Sequence, residues 1–459
     1  MLARTTTVVA AILALAACTP VPSPPATGPA QPSVTATSPA SSPATVRSAA
    51  SPDFDGDGLP DLAVGVGEPV ARVHVRYGAG RTQDLTRPGL DGASSYGFGQ
   101  SLLAGDLDGD GYADLVVADA DESFGQPQAL FVLRGSPSGL EVGTATRVVT
   151  TGLAVRGALA LVTTPERILA VSGYDATGGV VRLFGLGADG LPVGEPRTLG
   201  AGPSDGFGEA LAASGPVLVI GAPGRAVAGA RAAGAVTVLR FLAGGTYDEH
   251  TYTQESPGIP GTPQAGDRFG ASVAAGDGHV VVGVPNDHDA SAVGGRVQPF
   301  RIVGAELSPL PSMVQGDGVV PGRPEPGDGF GWSLAVLRVC PGVPGVLVGA
   351  PGEAIGSRPQ AGSAWLLPLA NGCQARQVYD RATGLGDPVE GAVVGSAVGA
   401  LRRDGGSADT PVVVAQGNSE EGVWGRVLTL GAPGQTATVV LSDLRLGDDR
   451  DVVVTSAAG

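Results

Sequence analysis

From about residue 53 to its C-terminus the chain alternates short apolar runs with breaks rich in glycine, proline and aspartate, and the runs recur in a fixed order. The later copies show the order best. Phe207-Gly208 leads to VLVIGAP (217–223), Phe269-Gly270 to HVVVGVP (279–285), and Phe330-Gly331 to GVLVGAP (345–351). Earlier copies are GFGQSLLAGDLDGDGYADLVVADA (97–120) and DFDGDGLPDLAVGVG (53–67), and weaker ones are RILAVSG (167–173) and PVVVAQG (411–417). The spacing is about sixty residues, and counting the apolar strands gives seven units of one repeat.

Within a unit the pattern predicts a first strand (269–275), a turn, a second strand (280–284), a polar link, a third strand (295–300) and a more variable fourth segment. Locally joined antiparallel strands, repeated radially so that their edges are hidden, predict an all-β fold, a seven-bladed β-propeller. The Phe of each Phe-Gly is suited to the space between blades, while its Gly permits close backbone approach. The Pro of Gly-Ala-Pro lacks an N–H and stops the second strand as it leaves the sheet. The third and seventh units carry Arg156-Gly157 and Val394-Gly395 where Phe-Gly is expected. The first unit starts directly at its aspartate loop, so another segment must supply its missing strand. The apolar, β-branched run DVVVTSAA (451–458) has nothing of its own to pair with, and is expected to close the ring there.

Phe-Gly, then DxDxDGxxDLxVG, then Gly-Ala-Pro resembles the FG-GAP repeat, the unit of the integrin alpha N-terminal β-propeller and of many bacterial exported proteins. The resemblance covers residues 51–459 and implies a propeller that binds or adheres. The chain has none of the leg domains or transmembrane helix of an integrin.

In the first loop Asp53, Asp55, Asp57 and Asp61 are placed to converge on one ion, with the Leu59 carbonyl as a further ligand. Asp106, Asp108, Asp110, Asp114 and the Tyr112 carbonyl repeat the arrangement. Oxygen ligands at alternate positions, with glycine permitting the tight curl, suit a hard ion such as Ca²⁺. The loops resemble the start of an EF-hand, yet Val64 and Val117 stand where its bidentate glutamate would be, so Asp61 and Asp114 must serve instead. Structural Ca²⁺ pinning a β-hairpin is the expectation; metal-free acidic turns and a ligand-coordinating metal are the alternatives.

Composition narrows the chemistry. Glycine (75) and proline (38) are abundant, and no amphipathic helix follows the first twenty residues. The net charge of -16 disfavours nucleic acid and anionic membrane surfaces, which require a basic stripe. There is no lysine, which excludes Schiff-base chemistry and a P-loop lysine. A Gly-x-Ser-x-Gly elbow and His-Glu-x-x-His are absent, and the four histidines are scattered. GLGADG (185–190) joins two strand-like runs and reads as a turn. NDHDA (286–290) reads as a solvated polar loop, with a ligand or metal contact as the alternative.

Residues 1–18 combine an early arginine, an apolar run and Leu15-Ala16-Ala17-Cys18, which resembles a bacterial lipoprotein signal with Cys18 as the lipid-acylated mature N-terminus. A conventional secretory signal or an uncleaved anchor is the alternative. Residues 19–50 are Pro, Ser, Thr and Ala with almost no charge, and read as a disordered tether. The chain is therefore expected to be exported and lipid-anchored at the cell surface or periplasmic face, or else secreted. Cys340 and Cys373 fall at same-end turns of the sixth unit, and are expected to form a disulfide rather than two buried thiols.

The expectation is a monomeric, non-catalytic, calcium-stabilised adhesion or binding module that meets an extracellular protein or polysaccharide through its loops, and a membrane only through its lipid. A hydrolase or lyase on a propeller scaffold and a structural envelope protein are the alternatives.

Overall fold

The valine-, leucine- and alanine-rich runs form strands because β-branched and aliphatic side chains pack on a pleated surface and the flanking Gly, Pro and Asp end them. The computed structural model describes residues 52–66, 71–87, 97–119, 128–155, 158–163, 166–200, 202, 205–289, 292–377, 390–402, 408–419, 422–429, 438–446, 452–454 and 456–457. The signal segment with Cys18, the tether and Arg156-Gly157 lie outside them. Every element among the described residues is a strand.

The strands form seven sheets of antiparallel meanders, one per repeat. Blade 5 is representative: Ser272–Gly276, His279–Val284, Arg296–Val303 and Glu306–Pro309 pair in chain order. The first strands of successive blades touch one another, which places them around the axis and the fourth strands at the rim. Blade 1 has only three strands from its own repeat, Leu62–Val66, Arg72–Arg76 and Thr82–Leu85. Its missing strand is Val452–Val454, antiparallel to Val64–Val66, so the C-terminal run closes the ring as the pattern predicts. Ser456–Ala457 then runs parallel to Leu103 and Ala104 of blade 2.

The apolar core is divided among the blade interfaces. Phe98 is buried between blades 1 and 2, Phe207 between 3 and 4, Phe269 between 4 and 5, and Phe330 between 5 and 6. Each contributes about 1.5–3 kcal/mol by burial. Val394 takes the same place between blades 6 and 7. Its N–H donates to the Ala361 carbonyl (3.1 Å) as that of Phe330 donates to Gly294 (2.8 Å). The glycine that follows has positive φ in each of these units, from 85° at Gly395 to 94° at Gly331. The backbone turn is thus kept in blade 7 although the aromatic ring is not.

Candidate metal centre

Both aspartate loops enter a second strand. The first precedes Leu62–Val66, and the second joins Phe98–Gly105 to Asp114–Asp119. Each is held by its own carboxylates. Asp53 accepts the N–H groups of Gly56 (2.7 Å), Asp57 (3.2 Å) and Gly58 (2.9 Å), and Asp57 accepts that of Leu59 (2.7 Å). Asp106 likewise accepts the N–H groups of Gly109 and Gly111, and Asp110 that of Tyr112. The apolar residue at the second position, Phe54 or Leu107, is fully buried and anchors the loop to the blade.

Carboxylate oxygens of Asp53, Asp55 and Asp57 lie within 4.8 Å of one another, as do those of Asp106, Asp108 and Asp114. Asp61 is not in the first group, nor Asp110 in the second. Asp61 is wholly buried and accepts the N–H of Phe54 at one oxygen (2.6 Å) and that of Gly78 at the other (2.8 Å). Asp114 holds Leu107 and Gly135 in the same way, each at 3.0 Å. The ninth-position aspartates therefore tie each loop to the end of the third strand. Burial pushes the Asp61 carboxyl up to about 7 and that of Asp114 to about 6.

Gly78 and Gly135, whose N–H groups hold the ninth-position aspartates, do not stand out in the sequence. A β-carbon on Gly78 would stand 2.3 Å from Cβ of Leu59, and one on Gly135 would stand 2.3 Å from the Ala113 carbonyl oxygen. Aligning the third strands of the two units, which end in Tyr77-Gly78 and Arg134-Gly135, would have revealed them.

Arginines offset part of the loop charge. Arg81 contacts Asp55 at 3.3 Å and lies over the Tyr77 ring, while Arg134 contacts Asp108 at 2.9 Å and Asp114 at 3.4 Å. In the first loop one oxygen of Asp55, Oδ1, is buried with no hydrogen-bond partner. An all-oxygen donor set with an unsatisfied carboxylate oxygen fits a hard cation.

Elsewhere, Cys340 at the end of a first strand and Cys373 before the fourth strand of blade 6 are joined by a disulfide, with Cα atoms 6.4 Å apart. GLGADG forms the predicted turn, with Gly190 N–H donating to the Gly187 carbonyl (2.9 Å). The 286–290 link departs from the expected solvated loop. Asp287 is buried and paired with Arg296 at 2.6 Å, and the same arginine reaches Asp289 at 3.4 Å. The arginine, supplied by the third strand, makes burial of the acid tolerable.

Residues 53–117, the span holding both loops, match the family described as FG-GAP-like repeat. The chain is a seven-bladed β-propeller. The span that matches the FG-GAP-like repeat lies in its first two blades. No curated protein matched it. Among solved structures, it is similar to a protein of Bacteroides uniformis ATCC 8492 provisionally named 6-phosphogluconolactonase (10% identity, 86% of this chain, 99% of that one, TM-score 0.47). A puromycin hydrolase mutant complexed with PGG gives 15% identity over 90% of this chain and 54% of its own, with a TM-score of 0.49. A Lactobacillus plantarum protein gives 10% identity, 86% and 98% coverage, and a TM-score of 0.47.

Proposed function

We propose that the chain is a non-catalytic binding or adhesion module, stabilised by Ca²⁺ and displayed outside the cell on a lipid anchor at Cys18. The observation that carries the calcium part is the convergence of three carboxylates in each loop, with Asp55 Oδ1 buried and unpartnered. In this reading Asp53, Asp55 and Asp57, and Asp106, Asp108 and Asp114, hold the ions, with the Leu59 and Tyr112 carbonyls completing the sets. Bound Ca²⁺ supplies charge neutralisation that lets the acidic hairpins stay folded against the blades. Extracellular calcium is abundant enough to fill weak sites of this kind.

Binding follows from the division of labour within each blade. The strands are buried and paired, whereas the links differ from one blade to the next and present side chains on a rigid ring. An extracellular protein or polysaccharide is the ligand class this arrangement suits.

The test is binding of the labelled protein to a panel of cell-wall and matrix polymers, with Ca²⁺ and with chelator. Saturable binding to one class, lost on chelation and without breakdown of the polymer, is the expected result. Degradation of a polymer would overturn the non-catalytic reading, and binding indifferent to chelator would remove calcium from it.

A further inference from the structure

The repeats can be compared with one another position by position at the blade junctions opposite the aspartate loops. Asp205, Asp267 and Asp328 each stand two residues before the phenylalanine that enters blades 4, 5 and 6. Two residues after the proline that ends each second strand stand Arg225, Asp287 and Glu353. Blade 4 therefore places a cation at this position, and blade 5 places an acid neutralised by Arg296. Blade 6 places Glu353, and the residue that corresponds to Arg296 is Ser363, which follows Gly362 as Arg296 follows Gly295.

Glu353 and Asp328 are both nearly fully buried, at 6% and 2% exposure, and their carboxyl groups are in hydrogen-bond contact. The further charge acting on both is another carboxylate, Glu325. Two buried acids in contact need a proton or a cation between them.

Gly294 of blade 5 lies against this pair. The backbone carbonyls of Ala233, Gly294 and Ala361 accept the N–H groups of Phe269, Phe330 and Val394, so these three residues are equivalent in blades 4, 5 and 6. Only at Gly294 is the methyl missing. The atoms nearest to where its β-carbon would stand are all oxygens: Asp328 Oδ2 at 3.0 Å, the Glu325 carbonyl at 3.0 Å and Gln315 Oε1 at 3.1 Å. Gln315 is 2% exposed; its amide nitrogen donates to Glu353 (2.7 Å), while Oε1, facing this space, has no hydrogen-bond partner. A buried amide oxygen left unpaired is destabilising, and a ligand there would remove that cost.

We propose that Asp328, Glu353, Gln315 Oε1 and the Glu325 carbonyl form a further Ca²⁺ site, which ties blade 5 to blade 6. Two carboxylates balance the double charge, and the neutral carbonyl oxygens complete a hard-ion donor set.

The experiment counts bound Ca²⁺ on the full chain by equilibrium dialysis and calorimetry. Asp55→Asn with Asp108→Asn disables the two loop sites, and one equivalent of Ca²⁺ is expected to remain. Adding Gly294→Ala, whose methyl would stand 3.0–3.1 Å from Asp328 Oδ2, the Glu325 carbonyl and Gln315 Oε1 and so crowd these oxygens, is expected to abolish that equivalent. Glu353→Gln, which keeps shape and hydrogen bonding but removes a charge, is expected to do the same. A loop-disabled protein that binds no Ca²⁺ would overturn the proposal, because the pair would then hold a proton only. So would an equivalent that survives both Gly294→Ala and Glu353→Gln. Failure of the loop reading is distinct: the loop substitutions would leave the total unchanged.

Discussion

At the scale of single residues, the two aspartate loops contain carboxylates with different tasks, and substitution should separate them. Asp61 accepts two N–H groups inside the blade, from Phe54 and Gly78, whereas Asp55 keeps a buried oxygen without a hydrogen-bond partner. Asp61→Ala strands two buried donors at about 1–3 kcal/mol each, so it should lower unfolding free energy by about 2–4 kcal/mol with or without Ca²⁺. Asp55→Asn should cost stability only when Ca²⁺ is present. Urea denaturation of both variants, in Ca²⁺ and in chelator, checks the pair. An Asp61→Ala loss that vanishes in chelator would make Asp61 a ligand first and a tether second. The contrast was not legible in the sequence, where Asp53, Asp55, Asp57 and Asp61 look alike. It arises from Gly78, distant along the chain and brought near only by pairing of the second and third strands.

Among elements, those whose determinants are local were the legible ones. The second strand and its terminating Pro are specified within a few neighbouring residues, and the structure places them where the pattern does, whereas the first strand of blade 5 begins at Ser272 and leaves Phe269-Gly270 in the turn before it. Features that join residues from different strands or blades were hidden: Arg296 of the third strand neutralising Asp287 within blade 5, and Gln315 meeting Glu353 across a junction. The fourth strands are intermediate, because they lie at the rim where packing constrains sequence least. Blade 6 shows the consequence. Among the described residues its fourth strand is Arg376–Gln377, paired to Leu366 and Trp365, and the Cys340–Cys373 disulfide anchors the loop that leads to it. With a sequence separation of 33, closing that loop should contribute about 2–4 kcal/mol. Cys340→Ser with Cys373→Ser should lower stability by that amount, and hydrogen exchange should show residues 376–377 losing protection first. Unchanged protection there would mean that the fourth strand is held by its pairing alone.

For the molecule as a whole, the decisive bond is the one between its ends. Blade 1 lacks a strand of its own, and Val452–Val454 fills the vacancy by pairing with Val64–Val66. Ser456–Ala457 adds backbone pairing to blade 2, so the last residues span the first two blades. Truncation after Asp448 would expose the backbone groups of Val64–Val66 as an open edge and free the last blade from the first. With each lost hydrogen bond worth about 1 kcal/mol net, the melting temperature should fall on the order of 10 °C. An open valine-rich edge should also pair with other copies, so the truncated protein should associate with rising concentration in size-exclusion chromatography. A synthetic peptide spanning residues 449–459, added in excess, should raise the melting temperature again by mass action, because it binds only the folded ring. If the truncated chain melts where the full chain does, the ring is held by its blade interfaces and the terminal strand is dispensable. If it melts lower and the peptide restores it, closure by the C-terminus is what makes seven separate meanders one cooperative body.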